Sequence, residues 1–121
     1  MARILFVDDD PMTLETLKRS VELFGHQAIQ ATSGAQALKI ASEQVPDLVL
    51  TDLRLPDMDG LSLVRTMKDG AVTEAIPVVV LSASVEVDMA DVCRAAGAAE
   101  FVQKPIRLAA LQELIARYTD K

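Results

Sequence analysis

Residues 3–11 read RILFVDDDP, and this stretch decides the fold. Its apolar run, Ile4–Val7, does not alternate with polar residues, which is typical of a parallel strand covered on both faces. Asp10 suits the position that caps a helix, and Pro11 suits the first position inside one. The stretch therefore predicts a buried strand that passes through an acidic turn directly into a helix.

Four further strand–helix pairs follow the same plan. Strands are predicted at residues 3–7, 27–31, 48–51, 78–81 and 99–103. Helices are predicted at about residues 11–24, 34–45, 61–68, 86–96 and 108–118. The last helix is expected to bury one stripe, made by Leu108, Leu111, Ile115 and Tyr118. Alternating strands and helices predict an α/β fold with a doubly wound parallel sheet.

Composition and charge exclude several classes of protein. The chain has 121 residues, half of them apolar and a quarter charged, which suits one packed domain. Its net charge is −6 with a pI near 4.6, whereas a direct nucleic-acid binder is normally basic. The one cysteine excludes an internal disulfide, and no apolar run approaches the roughly 20 residues of a membrane span. No signal peptide is apparent, so a cytoplasmic location is expected.

Polar residues follow four of the five predicted strands. Asp8 and Asp9 follow the first strand, Asp52 the third, Ser82 the fourth and Lys104 the fifth. Parallel strands bring their carboxyl ends to one edge of the sheet, so we expect these side chains to share a pocket. Three carboxylates so close repel one another unless a cation lies between them. Mg²⁺ suits such a shallow, oxygen-rich site.

The remaining groups of this pocket suit a phosphoryl group. Lys104 can neutralise one phosphoryl oxygen, and Ser82 can donate a hydrogen bond to another. A carboxylate beside a metal ion can itself be the nucleophile, which gives an aspartyl phosphate. The chain has no glycine-rich phosphate loop, so a nucleotide is not the expected donor.

Four motifs, each at a strand end, make the sequence resemble the receiver domain of two-component response regulators. They read ILFVDD at residues 4–9, LTDLRLPDMDG at 50–60, VLSA at 80–83 and FVQKP at 101–105. The resemblance covers essentially the whole chain. It implies a flavodoxin-like five-stranded sheet in the order 2-1-3-4-5 with five helices, and a single receiver domain over residues 1–121.

The resemblance also implies a metal and acceptor role for four residues. Asp52 matches the phosphorylated aspartate. Asp9 matches the direct Mg²⁺ ligand, and Asp8 matches the carboxylate that acts through water. Arg54 matches the position whose backbone carbonyl completes the metal site.

Four other residues match the phosphoryl-binding and switch positions of the family. Ser82 and Lys104 match the two side chains that hold the phosphoryl group. The bond from Lys104 to Pro105 matches one that is cis in the family. Phe101 matches an aromatic residue that moves inward with Ser82 and reshapes the surface of helix 4, strand 5 and helix 5.

The function implied is a phosphorylation-dependent signalling switch that is not a turnover enzyme. Its expected phosphoryl donor is a sensor histidine kinase or a histidine phosphotransfer protein, and its output a downstream protein bound at the helix 4–strand 5–helix 5 surface. No membrane and no direct nucleic-acid contact are expected. A phosphorylation-dependent dimer stays open, with four candidates for ion pairs between subunits: Arg94, Glu100, Arg107 and Arg117.

Two other functions stay open on sequence grounds. One is a receiver-like module that binds proteins without phosphorylation. The other is an aspartate-nucleophile phosphatase similar to the haloacid dehalogenase superfamily, although Met12 departs from that family's motif. The residue that carries a phosphate or beryllofluoride label separates the phosphatase from the switch, because the phosphatase would use Asp8 and the switch Asp52.

Several residues have simpler interpretations. Asp57 and Asp59 are expected to serve as turn and cap residues, His26 as a surface turn residue and Cys93 as packing. A further hypothesis is that Arg54 and Ser84 flank the pocket mouth and tune hydrolysis of the aspartyl phosphate.

Overall fold

A computed structural model describes residues 1–83 and 88–119 of the chain. Within these residues, five parallel strands lie in the order β2-β1-β3-β4-β5 and alternate with five helices. The strands are β1 (Arg3–Val7), β2 (Gln27–Ala31), β3 (Leu48–Asp52), β4 (Val78–Ser82) and β5 (Glu100–Gln103). The helices are α1 (Pro11–Leu23), α2 (Gly34–Gln44), α3 (Gly60–Asp69), α4 (Met89–Ala96) and α5 (Leu108–Thr119). The predicted doubly wound fold and its strand order are confirmed.

Alternate side chains of each central strand enter two separate cores. In β1, Leu5 and Val7 pack with residues of α2, α3 and α4, whereas Ile4 and Phe6 pack with residues of α1 and α5. Both faces of the sheet are therefore covered, which explains why the central strands are apolar without alternation. Cys93 is fully buried in the first core, as the packing interpretation predicts.

Side-chain caps begin three of the helices. Asp10, Ser33 and Asp59 each accept a hydrogen bond from a backbone amide two or three residues further on. Such caps satisfy amides that have no partner inside the helix. Hydrogen bonds from the Thr13 hydroxyl and the Met12 amide lower the pKa of the Asp10 carboxyl. Asp10 therefore caps α1, as predicted.

The buried stripe of α5 differs from the predicted one. Leu111 and Ile115 are buried and Tyr118 is half-buried, as expected, but Leu108 is 51% exposed and Leu114 is buried. At 3.6 residues per turn, Leu111 and Tyr118 lie near the centre of the buried stripe, Leu114 lies on one side of it, and Leu108 lies at its opposite edge. The prediction for Leu108 is therefore wrong. The predicted start of the fourth helix at Glu86 lies outside the described residues.

His26 holds the start of β1 rather than serving as a free surface residue. Its Nδ1 accepts a hydrogen bond of 2.9 Å from the Ala2 amide, and the residue is half-buried. The Gln27 amide donates to the Ala2 carbonyl at 2.9 Å, so both backbone groups of Ala2 are engaged. Among the described residues, no helix is long and apolar enough to cross a membrane.

Val45 ends α2 in a strained conformation. Its backbone has φ 44° and ψ 69°, which is the left-handed region, while its amide donates to the Ala41 carbonyl at 3.0 Å. Left-handed backbone crowds the Cβ of any L residue, and most of all a β-branched one. The Val45 side chain is 48% exposed, so its burial compensates little of this strain.

We predict that Val45→Asn stabilises the protein, because asparagine tolerates the left-handed region. The free energy of unfolding should rise by about 1 kcal/mol, measured by urea denaturation. Val72→Asn is the control, since Val72 is similarly exposed (56%) and Val45 is the one non-glycine residue with positive φ in the described chain. Equal effects of the two substitutions would mean that Val45 stores no strain.

Candidate functional site

Three carboxylates meet where the two central strands end. β1 and β3 are neighbours, with Val7 opposite Thr51, so Asp8 and Asp9 after β1 lie beside Asp52 at the end of β3. One carboxylate oxygen from each of these three residues lies within 4.8 Å of the other two. We call Asp8, Asp9 and Asp52 the acidic cluster. It occupies the topological switch point, where ligands of doubly wound folds bind.

Lys104 brings a positive charge to this cluster from two strands away. Its amide donates to the Ser82 carbonyl at 2.8 Å, which fixes the chain after β5 against the end of β4. Its Nζ then lies 2.8 Å from Asp8 Oδ2 and 3.3 Å from Asp52 Oδ2. Burial opposes the charge of Lys104, but the hydrogen bond to Asp8 and the charges of Asp52 and Asp8 outweigh it. The pKa of Lys104 therefore lies above its usual value.

The three carboxylates differ in exposure and in partners. Asp8 has a side chain only 6% exposed, and its two oxygens accept hydrogen bonds from the Asp10 amide and from Lys104. Asp52 is 20% exposed, and its Oδ1 accepts a long hydrogen bond of 3.4 Å from the Arg54 amide. Asp9 is exposed to solvent. Asp9 and Asp52 thus present their oxygens more openly than Asp8 does.

The loop between β3 and α3, residues 53–59, closes tightly over the end of β3; we call it the site loop. The Gly60 amide donates to the Leu53 carbonyl at 2.6 Å, and the backbones of Arg54 and Asp59 form an isolated antiparallel β-bridge. A Cβ at Gly60 would collide with the backbone carbonyl of Asp52, so only glycine allows this approach. The loop places the Arg54 backbone directly beside the acidic cluster.

Two cavities adjoin at Lys104. One, of about 390 Å³, is lined by four polar or charged residues and one alanine, and we call it the polar cavity: Asp52, Arg54, Ser82, Ala83 and Lys104. The other, of about 300 Å³, is mainly apolar, and we call it the apolar hollow. Its lining residues come from α1, from the end of β4 and from the segment after β5: Met12, Thr13, Thr16, Leu17, Leu81, Lys104, Pro105 and Ile106.

The structure brings most of the predicted site residues to this edge. Ser82 is buried at the end of β4 and lines the polar cavity, and the peptide bond from Lys104 to Pro105 is cis. Phe101 lies apart from the acidic cluster, half-buried against the core of α2, α3 and α4. Ser84, which the hypothesis on hydrolysis pairs with Arg54, lies outside the described residues.

Two of the candidates for ion pairs between subunits are partners within the chain. Arg117 Nη1 lies 2.6 Å from Glu100 Oε1, and the Tyr118 hydroxyl donates to the same oxygen at 2.7 Å. Burial raises the pKa of the Glu100 carboxyl, but the hydrogen bonds from Tyr118 and Arg117 outweigh it and lower the pKa overall. A contact between subunits through Glu100 or Arg117 would compete with this pair.

Sequence reasoning missed one connection near the site. The Asp57 carboxylate accepts hydrogen bonds from the Gly34 and Ala35 amides, at 2.8 and 2.9 Å, so it caps α2 from the site loop. These two bonds, Ala35 first, lower the pKa of the Asp57 carboxyl. No local pattern signals a cap that lies more than 20 residues along the chain from its helix.

Comparisons with known proteins agree with one another. The family model described as response regulator receiver domain matches residues 4–116. The transcriptional regulatory protein PrrA of Mycobacterium tuberculosis is 40% identical over 115 residues, which cover 95% of this chain and 47% of PrrA. Sporulation initiation phosphotransferase F of Bacillus subtilis is 34% identical over 116 residues, covering 96% of this chain and 92% of that protein. The chain therefore spans about half the length of relatives such as PrrA and nearly the full length of others.

One solved structure has a backbone closely similar to that of this chain. It is the receiver domain of sensor histidine kinase PA1611 from Pseudomonas aeruginosa, with a magnesium ion coordinated in the active site cleft. It has a TM-score of 0.90 and 28% identity, and the match covers 99% of this chain and 98% of that one.

We predict that Lys104→Met destabilises the metal-free protein by about 2 kcal/mol, because Asp8 would lose the ammonium that compensates its burial. Saturating Mg²⁺ should recover more stability in the variant than in the wild type, since a divalent cation relieves the same repulsion. Urea denaturation with and without Mg²⁺ measures both effects.

Lys39→Met is the control for Lys104→Met, because Lys39 is an exposed lysine on α2. It should leave stability unchanged within about 0.5 kcal/mol. If Lys104→Met behaved like Lys39→Met, the ammonium would not be balancing the acidic cluster.

Proposed function

The chain belongs to the response regulator receiver domain family, and we propose that it works as a switch in which Asp52 accepts a phosphoryl group. Receiver domains are signalling modules rather than classical enzymes. The observation that carries the proposal is the meeting of Lys104 with Asp8 and Asp52, at 2.8 and 3.3 Å, on the edge where Asp9 and Ser82 also lie. This set of groups suits positioning and charge neutralisation, which are the main demands of phosphoryl transfer.

We propose that the acidic cluster holds Mg²⁺. The donor set fits a hard cation, because one carboxylate oxygen from each of three residues lies within 4.8 Å of the other two, with the ammonium of Lys104 beside them. Asp9 and Asp52 are the direct ligands in this proposal, together with the Arg54 carbonyl. Asp8 acts through water, which agrees with the partners that both of its oxygens already have. When bound, the ion neutralises charge on the phosphoryl oxygens and the acceptor carboxylate.

In the proposed reaction, an Asp52 carboxylate oxygen attacks the phosphorus of a phosphohistidine. A P–O bond forms, the P–N bond breaks, and the imidazole leaves with the bonding electron pair and takes up a proton from solvent. Lys104 moves from the carboxylates to one phosphoryl oxygen, and the Ser82 hydroxyl donates to another. Both groups thereby compensate the negative charge that the phosphoryl oxygens carry into the site.

The proposed output follows from where Ser82 and Phe101 lie. Ser82 is the last residue of β4. Phe101 of β5 lies opposite Val80 of β4, two residues before Ser82. A shift of Ser82 toward the phosphoryl group would therefore change the surroundings of Phe101. This residue lies half-buried against the core of α2, α3 and α4. We propose that the surface of α4, β5 and α5 changes in this way and binds a downstream protein. The match covers only 47% of PrrA, so the output of a whole protein is also a proposal.

We propose that the donor protein docks on the apolar hollow. Met12 is 78% exposed at the start of α1 and lines the hollow together with Ile106 and Lys104. A donor seated there would present its histidine beside the Lys104 end of the polar cavity. This arrangement suits a sensor histidine kinase or a phosphotransfer protein, whose phosphohistidine must approach Asp52 from outside.

We predict that incubation with acetyl phosphate and Mg²⁺ adds one phosphoryl group to the intact mass, and that Asp52→Asn abolishes the gain. Asp69→Asn, an exposed carboxylate at the end of α3, is the control and should label normally. No gain in the wild type would favour a module that binds without phosphorylation. A gain that survives Asp52→Asn but not Asp8→Asn would favour the phosphatase.

We predict that Met12→Ala slows phosphotransfer from a protein donor and leaves labelling by acetyl phosphate unchanged. Truncating an apolar contact residue costs roughly 1 kcal/mol, so the KM for a sensor kinase that phosphorylates the wild type should rise about fivefold. Leu23→Ala is the matched control, because Leu23 is 79% exposed at the other end of α1. Equal KM values for the two variants would place the donor elsewhere.

A further inference from the structure

The site loop is held by hydrogen bonds at its two ends and within its turn. The Leu55 amide donates to the Met58 carbonyl at 3.2 Å, and the Gly60 amide donates to the Leu53 carbonyl at 2.6 Å. These bonds set the shape of the loop. They do not set how the turn lies relative to the rest of the molecule, because both partners of each bond belong to the loop or to its end.

Asp57 supplies a connection from the turn of the loop to another element. Its carboxylate oxygens accept from two successive amides at the start of α2, Gly34 at 2.8 Å and Ala35 at 2.9 Å. Charge-assisted bonds of this kind are stronger than neutral ones, and the helix N-terminus favours the negative charge. Met58 packs so closely on Gly34 that a Cβ there would overlap its side chain.

α2 does not need Asp57 to have a capped start. Ser33 already accepts a hydrogen bond from the Gln36 amide at 3.2 Å, which is the usual arrangement for a helix N-terminus. The two bonds of Asp57 are additional, and they join α2 to the loop that carries Arg54. The loop gains from them two polar anchors to α2, in addition to the packing of Leu55 and Met58 against the core.

We infer that Asp57 is a positioning residue for the acidic cluster: by binding the start of α2, it holds the site loop where the Arg54 carbonyl and Asp52 face the same cation. This inference rests on the proposed function, because it assigns Arg54 and Asp52 to a magnesium site. Outer groups that fix ligands commonly change metal affinity by an order of magnitude or more. Asp57 acts on the site through the backbone of the loop and does not itself touch the cation.

The test compares Asp57→Ala with Ser33→Ala, because both remove a cap from the same end of α2 and only the first releases the loop. Titration with MgCl₂, followed by backbone amide NMR shifts, should show roughly tenfold weaker binding in Asp57→Ala. Ser33→Ala should bind as the wild type does, even where its Tm is equally lowered. Asp57→Asn keeps one acceptor oxygen and should lie between the two.

A second measurement follows the loop without metal. In Asp57→Ala the Leu55 amide should exchange its hydrogen faster than in the wild type, and in Ser33→Ala at the wild-type rate. At saturating Mg²⁺, the maximal rate of labelling by acetyl phosphate should return to the wild-type value, so that the loss appears as a higher Mg²⁺ requirement.

The outcomes separate this inference from the proposed function. If the wild type binds Mg²⁺ and labels on Asp52, but Asp57→Ala has the same Mg²⁺ affinity as Ser33→Ala, Asp57 is only a helix cap and the inference is overturned. If the wild type neither binds Mg²⁺ nor labels, the proposed function fails, and the positioning role falls with it.

Discussion

The candidate site depends on an excess of negative charge at one edge of the sheet. One carboxylate oxygen from each of three residues lies within 4.8 Å of the other two, and the ammonium of Lys104 lies against two of these carboxylates. Like charges at such distances cost free energy unless they are compensated. The protein compensates them in part, by giving Asp8 two hydrogen-bond donors and leaving Asp9 exposed. The remaining excess of negative charge is what makes the edge suited to a divalent cation, and the lysine suited to an incoming phosphoryl group.

The sheet topology is what allows these groups to meet. Asp8, Asp9 and Asp52 come from adjacent strands, and their proximity follows from the order β2-β1-β3-β4-β5. Lys104 follows β5, and β4 lies between β5 and the strands that carry the acidic cluster. A long, flexible side chain is needed to span that distance, and the backbone bond from Lys104 to Ser82 fixes its starting point. The short aspartates thus follow or end the adjacent strands β1 and β3, and the longer lysine follows the more distant strand β5.

Local patterns in the sequence predicted the fold, and they predicted that Asp8, Asp9, Asp52 and Lys104 would meet at one edge of the sheet. Continuous apolar runs mark central strands, and polar residues directly after them mark the edge. The sequence did not predict hydrogen bonds between residues that are far apart along the chain. The bonds of Asp57 to α2 and of His26 to Ala2 join segments more than 20 residues apart, with no spacing to indicate them. The burial of Leu108 was predicted wrongly because the predicted stripe left out Leu114. Including Leu114 moves the centre of the buried stripe away from Leu108.

Tyr118 gives the chain a spectroscopic property of its own. The sequence has one tyrosine and no tryptophan, so near-ultraviolet emission comes almost entirely from one ring. That ring packs against the core of α1 and α5, and its hydroxyl is bonded to Glu100 at the start of β5. Any rearrangement of α5 against β5 alters the surroundings of this ring. The unlabelled protein therefore contains a single optical reporter at the junction of those two elements.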